Sequence, residues 1–184
     1  MADIVINGAT YKGVPSIEVP SSDGKTANYI DDNLVNRICS RFIVGELSLP
    51  NLTQIGDYAF YYCRFMTELH APLVQKIGDY AFNACSSLKR FDLPVVTSLS
   101  TRSLSYTNLN ILIMRIEQLV ILGNSNALTS TPIASGTGYI YVPKSLVDSY
   151  KTATNWSVYA DQFRTLEDYT IDGTITGELD ESKI

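Results

Sequence analysis

The hexapeptide IGDYAF occurs twice in this chain, at 55–60 and at 77–82, an offset of 22 residues. The match runs well past the hexapeptide, since LSLPNLTQIGDYAFYYCRFMTEL (47–69) is followed by LHAPLVQKIGDYAFNACSSLKRF (69–91), equal in length residue for residue. A looser copy, FDLPVVTSLSTRSLSYTNLNI, keeps Leu99 in the place of Ile77 and Leu104 in the place of Phe82, and is one or two residues shorter. A fourth, ILIMRIEQLVILGNSNALTSTPI, carries an insertion before Ala127 and Leu128. A period in the range of about 20–29 residues constrains the fold strongly, because so short a unit cannot bury its own apolar face and must stack on its neighbours.

Each unit contains one short alternating segment: Leu47 and Leu49 before Pro50, Leu69 and Ala71 before Pro72, Phe91 and Leu93 before Pro94, Ile111 and Ile113 before Met114, Ile140 and Val142 before Pro143. Alternation with period two is a strand pattern, and a following proline ends the ladder because it has no N–H to donate. The IGDYAF stretch is expected to turn Ile55, Ala59 and Phe60 inward, with Gly56 supplying turn geometry that other residues resist. The expected architecture is a solenoid with a short parallel β-sheet on one face and short helical or irregular segments on the other. With strands about 4.8 Å apart, five units stack to roughly 20–25 Å.

The ends are not repeats. In 29–43, YIDDNLVNRICSRFI, residues Ile30, Leu34, Ile38 and Phe42 form one stripe of an amphipathic helix, so 29–46 is expected to be an N-terminal helical cap ahead of repeats at 47–143. Ser145 is placed to N-cap a helix carrying Leu146, Val147 and Tyr150, with Trp156, Tyr159 and Phe163 on a second turn, which makes 144–167 a C-terminal helical cap. Asn7-Gly8 and Asp172-Gly173, each between alternating apolar residues, read as two-residue hairpin turns. They assign 1–28 to a hairpin and linker and 168–184 to a hairpin and an acidic tail, GELDESKI, that frays.

The segments LSLPNLTQIGDYAFYYC, HAPLVQKIGDYAFNACSSLKRFDLP and IYVPKSLVDSYKTATNWSVYADQF together resemble the BspA-like (Treponema pallidum type) leucine-rich repeat family over about 47–167, the last of them matching its usual C-terminal cap. The resemblance implies a leucine-rich-repeat solenoid used as a binding scaffold. Such members often stand on bacterial surfaces, facing host or matrix proteins, and have no catalytic residues. The flanks resemble those of prophage-encoded relatives, which implies as an alternative a structural or receptor-binding accessory component of a virion assembly.

Composition narrows the partners. With 45% hydrophobic residues and 18% charged, the chain is expected to fold rather than remain disordered, and a net charge of -5 argues against an electrostatic grip on nucleic acid or anionic lipid. No apolar run reaches the roughly 18 residues of a membrane helix, so no membrane insertion is expected. The N-terminus shows no export signal, which leaves the compartment open. No cofactor is implied.

Residues alternating with the inward positions are expected to form an exposed ladder and the ligand-binding face: Glu46, Ser48, Glu68, His70, Arg90, Asp92, Asn110, Leu112, Tyr139 and Tyr141. Ser48, His70 and Asp92 share one position in three successive repeats and invite comparison with a hydrolytic triad. A triad also needs a strained nucleophile turn, oxyanion donors and a water-shielded site, and an open ladder has spent its backbone donors in the sheet. The expectation is therefore no catalysis, with the polar side chains pairing across strands, Glu68 beside Arg90. Cys63 and Cys85 are equivalent positions, compatible either with a disulfide or with two stacked thiols. One histidine and no C-x-x-C exclude a His/Cys metal cluster. GKT at 24–26 has Val19 where a phosphate loop needs glycine. The sequons at Asn51 and Asn155 matter only on a glycosylating secretory route. The 12 tyrosines are of a type common on recognition surfaces, yet some are expected in the core and Tyr58 and Tyr80 are expected to close the repeat turns; Tyr139 and Tyr141 fall on the exposed phase of the last unit, open to binding or to cap packing. The expected partner is a protein or glycan, and the terminal hairpins offer edges for self-association.

Overall fold

The computed structural model describes the backbone of residues 2–6, 9–14, 29–30, 45–168, 170–171 and 174–175, and side chains over 45–167. The longer strands of the repeats are β4 (Gly45–Ser48), β6 (Met66–His70), β8 (Arg90–Leu93), β10 (Ile111–Met114) and β12 (Tyr139–Val142), followed by β13 (Phe163–Thr165). All of their recorded mutual pairings are parallel: β4 with β6, and β8 with β10, β12 and β13 in turn. At the N-terminal edge, β1 (Ala2–Ile6) and β2 (Ala9–Val14) form the expected antiparallel hairpin, Ile6 facing Ala9, and β2 continues the sheet by pairing antiparallel to β4 at Thr10 and Ser48. The two four-stranded sheets that result, β1-β2-β4-β6 and β13-β12-β10-β8, adjoin where β6 meets β8. Near the C-terminus β14 (Thr170–Ile171) and β15 (Thr174–Ile175) pair antiparallel; the expected turn residues Asp172 and Gly173 lie outside the described residues.

A second parallel sheet was not expected. It is built from two-residue strands, β3 (Tyr29–Ile30), β5 (Gln54–Ile55), β7 (Lys76–Ile77), β9 (Ser98–Leu99) and β11 (Ile121–Leu122), stacked in sequence order. Each contributes one inward residue, Ile55, Ile77, Leu99 and Leu122 among those with described side chains, all at most 4% exposed. Tyr29 and Ile30 therefore begin a strand, not the helix that the stripe through Ile30 suggested, because Ile30 pairs with Ile55. The remainder of the proposed helix, 31–44, lies outside the described residues.

The DYAF segment is neither helix nor loop in the ordinary sense. Tyr58 and Tyr62 sit at φ 56° and 62°, and their equivalents Tyr80 and Ala84 at 56° and 62°. The turns alternate between the right- and left-handed regions, which sends alternate N–H groups sideways to the next repeat: Tyr58 to Asp79 O (2.8 Å), Phe60 to Ala81 O (2.7 Å) and Tyr62 to Asn83 O (2.9 Å). The pattern recurs one unit on, from Tyr80 to Thr101 O, Phe82 to Ser103 O and Ala84 to Ser105 O. The intervening donors close the turn itself, Ala59 to Gly56 O and Tyr61 to Tyr58 O, so the backbone is satisfied without a helix. Asp57 adds a rung, its Oδ1 accepting from Asp79 N–H at 2.7 Å, and Asp79 Oδ1 accepts from Thr101 N–H at 3.0 Å. Between the sheets and the turns runs one core, in which Phe60 and Phe82 stack with centroids 5.0 Å apart.

The end of the stack is closed by short elements. A 3-10 turn (Lys144–Leu146), helix α1 (Val147–Thr152) and a second 3-10 turn (Ser157–Gln162) bring Tyr150, Trp156 and Tyr159 onto the core, and Phe163 joins them from β13 rather than from a helical turn. Ser145 is not an N-cap; it lies inside the 3-10 turn, and its hydroxyl bonds Glu117 Oε2 at 3.1 Å. The backbone edge of β11, which another repeat would otherwise cover, is met by side chains instead. Tyr150 Oη accepts from Val120 N–H (2.9 Å), Trp156 Nε1 donates to Val120 O (2.7 Å), and Asn155 Nδ2 donates to Leu122 O (2.7 Å).

Candidate functional site

The outer face of the long-strand sheet carries the predicted residues, with one change of phase. Register places Ile111 beside Arg90, Leu112 beside Phe91 and Ile113 beside Asp92. Leu112 therefore points into the core, fully buried, and does not belong to the exposed ladder, while Ile111 and Ile113 take the outer positions. The sequence ILIM is apolar at every place, so alternation gave no phase there, and a slip of one residue exchanges the two faces. Asn110 is exposed but lies just before β10, where its N–H donates to Lys89 O and its carbonyl accepts from Tyr139 N–H.

The face has two unlike halves. On β4 and β6, Glu46 and Glu68 are exposed and directly opposite each other, and Ser48 neighbours His70. From β8 onward the surface is basic, apolar and aromatic. Asp92 is clasped by Arg115, whose Nε and Nη2 reach its two oxygens at 3.1 and 2.6 Å, with Arg90 Nη2 at 3.6 Å. Arg90 thus turns toward Asp92 on its own strand. Such a two-pronged pair is directional and holds both partners in place. Ile113 and Tyr141 form a small apolar cluster outside the sheet, packed by Ile111 and Leu166, which leaves Tyr141 only 9% exposed. Tyr139 remains open, and the Arg164 guanidinium lies 4.4 Å from its ring centroid. Arg164 is fixed there by bonds from Nη1 to Asp161 O and Phe163 O at 2.9 and 2.7 Å.

Arg115 and Arg164 escaped sequence reasoning because they lie beyond the alternating segments used to set the phase. The alternation of Phe163, Arg164 and Thr165 held the clue, since Phe163 is core and Arg164 pairs in register with Tyr141.

Ser48, His70 and Asp92 do not assemble into a relay. A relay needs the carboxylate on the imidazole, and Asp92 is committed to Arg115 and Arg90. Among the described residues no group of three or more His, Cys, Asp or Glu side chains is placed to hold a metal. Nor is any helix among them long and apolar enough to cross a membrane. Cys63 is in a disulfide, whereas Cys85 is a free thiol in the core, its Sγ bonding Phe60 O at 3.0 Å. The two equivalent cysteines are therefore neither bridged to each other nor both thiols. Burial pushes the Cys85 thiol up to about 12, which makes it a poor nucleophile.

The turn side presents a second aromatic surface. Tyr58 and Tyr80 stack with centroids 5.0 Å apart, Tyr61 meets Tyr58 and Tyr62 edge-on, and Tyr58, Tyr62 and Tyr106 are 40–49% exposed.

A family model described as BspA type leucine rich repeat region matches residues 40–136 in six copies. Neither the curated proteins nor the solved structures return a significant match to this chain.

Proposed function

The chain belongs to the BspA-type leucine-rich repeat family, and from that premise we propose that it is a non-enzymatic binding module whose ligand, a protein or glycan, is recognised on the outer face of the long-strand sheet. The observation that carries this reading is the β8 to β13 half of that face. It combines an open tyrosine under a fixed guanidinium, Tyr139 and Arg164, with the Asp92–Arg115 clasp and the Ile113–Tyr141 cluster. Tyrosine and arginine held rigid before binding are the residue types that dominate recognition energy, since little side-chain entropy remains to be lost. Adhesion at a bacterial surface is the role this suggests. The contact residues on this reading are Arg90, Asp92, Arg115, Tyr139 and Arg164, with Glu46, Ser48, Glu68, His70 and Asn110 contributing polar contacts toward the other strands.

The test is a screen of the full chain against an array of matrix proteins and glycans, beside a variant with Arg90, Tyr139 and Arg164 changed to Ala. Binding that the variant loses is the expected result; a ligand held equally well by both proteins would move recognition elsewhere on the molecule. A second reading, an accessory component of a prophage or virion assembly, is favoured by β1, which among the described strands pairs only with β2 and so offers an edge to another chain. Its signature is sedimentation as an oligomer with no ligand found in the screen.

A further inference from the structure

We propose a second recognition site on the turn side, a notch between Tyr62 and Tyr106 that takes one pyranose ring of an acidic glycan. Residues 62, 84, 106 and 130 occupy equivalent places in successive repeats, linked by bonds from Tyr62 N–H to Asn83 O, Ala84 N–H to Ser105 O and Tyr106 N–H to Thr129 O. All four have positive φ, between 57° and 62°, so their side chains leave the turns in the same sense. Read along the stack the row is Tyr, Ala, Tyr, Ser: two walls with a small floor between them. The stacked rings of Tyr58 and Tyr80 and of Phe60 and Phe82 stand 5.0 Å apart, and at that repeat spacing the equivalent positions Tyr62 and Tyr106, two repeats apart, are separated by about 10 Å. A ring held between two walls needs a contact of about 3.5–4 Å on each side. The remaining width suits a puckered sugar chair better than a flat aromatic ring.

Two further observations point to a ligand. The left-handed region is costly for a bulky side chain and cheap for glycine or asparagine. Tyr62 and Tyr106 do not offset that cost by entering the core, being 43% and 49% exposed while their neighbours Phe60 and Leu104 are buried. The left-handed backbone belongs to the repeat architecture, which uses it at Ala84 and Ser130 as well; what is particular to Tyr62 and Tyr106 is a large ring left exposed on it. The face also carries cations with no carboxylate partner among the described residues, Arg64 at 4.8 Å over the Tyr62 ring and Arg102 at 5.9 Å over Tyr80. Its carboxylates, Asp57 and Asp79, are tied to the backbone N–H groups of Asp79 and Thr101. Tyrosine rings take the C–H faces of a sugar, and the Arg64 fork matches the carboxylate of a uronic acid.

The full chain is titrated with a hexamer of galacturonic acid, with neutral maltohexaose and with a decamer of proline, using calorimetry and the ring signals of the tyrosines. The galacturonate hexamer should bind and shift Tyr62 and Tyr106. Tyr62→Asn and Tyr106→Asn should each weaken it about tenfold, with a thermal midpoint equal to or above the wild type because asparagine tolerates this backbone. Arg64→Gln should erase the preference for the acidic over the neutral glycan. Tyr139→Ala, on the sheet face, should leave all of this unchanged, so the two sites stand or fall separately. No binding of the hexamer, undiminished binding in both Asn variants, or a preference for the proline decamer would overturn the proposal. A lowered midpoint in the Asn variants with unchanged affinity would make the tyrosines structural and overturn it as well.

Discussion

A Cβ at Gly78 would lie 2.4 Å from Asp57 Oδ1 and 2.6 Å from Asp57 N. The glycine of the second hexapeptide is thus needed because two turns approach closely, a reason distinct from the turn geometry expected of Gly56. Gly78→Ala should cost about 1–3 kcal/mol of stability, the usual range for overpacking, read as a lower urea midpoint; an unchanged midpoint would mean that the turns part freely. Cys85 gives a pH signature. Its thiol is raised from 9.0 to about 12 by burial, so its contribution to stability is fully present below pH 9 and is lost as the pH rises from there through about 12. The urea midpoint should therefore fall more steeply above pH 9 in the wild type than in Cys85→Ala, and parallel curves would show that the thiol does not stay protonated in the fold. Ile55, Phe60, Ile77 and Phe82 were readable as core because their spacing repeats. The positive φ values of Tyr58, Tyr62 and Tyr80 were not, since the residue types that announce such a backbone are glycine and asparagine, not tyrosine.

The long strands were found from their alternation wherever polar residues marked the outer phase, as in Arg90, Phe91, Asp92, Leu93. They lost their phase at Ile111 to Met114, where both faces are apolar because Ile113 packs on Tyr141 outside the sheet. The two-residue strands of the second sheet escaped notice because two residues carry no period. At the closing end, the apolar bodies of Tyr150, Trp156 and Tyr159 were legible as cover. The partners of their polar tips lie 30 or more residues upstream and were not. Trp156→Phe keeps most of the packing but strands Val120 O, which loses the 2.7 Å bond from Nε1. The expected loss is about 1–3 kcal/mol, measurable by chemical unfolding. A neutral result would show that water reaches the edge of β11.

The molecule presents one face to two kinds of chemistry, acidic at Glu46 and Glu68 and basic, apolar and aromatic from Arg90 to Arg164. A partner carrying complementary charge would meet this face in one orientation, and its association should weaken with salt, since exposed charges are screened over about 8–10 Å at 0.1–0.15 M ionic strength. The proposed recognition lies on this face. Its most direct measurement is the dissociation constant of the ligand selected by the array for the wild type, Tyr139→Ala, Arg164→Ala and Gln54→Ala, the last exposed on the other sheet. A weakening of about tenfold or more is expected for each of the first two variants, with no change for Gln54→Ala. Equal affinities in all four proteins, or the absence of any ligand on the array, would contradict this placement.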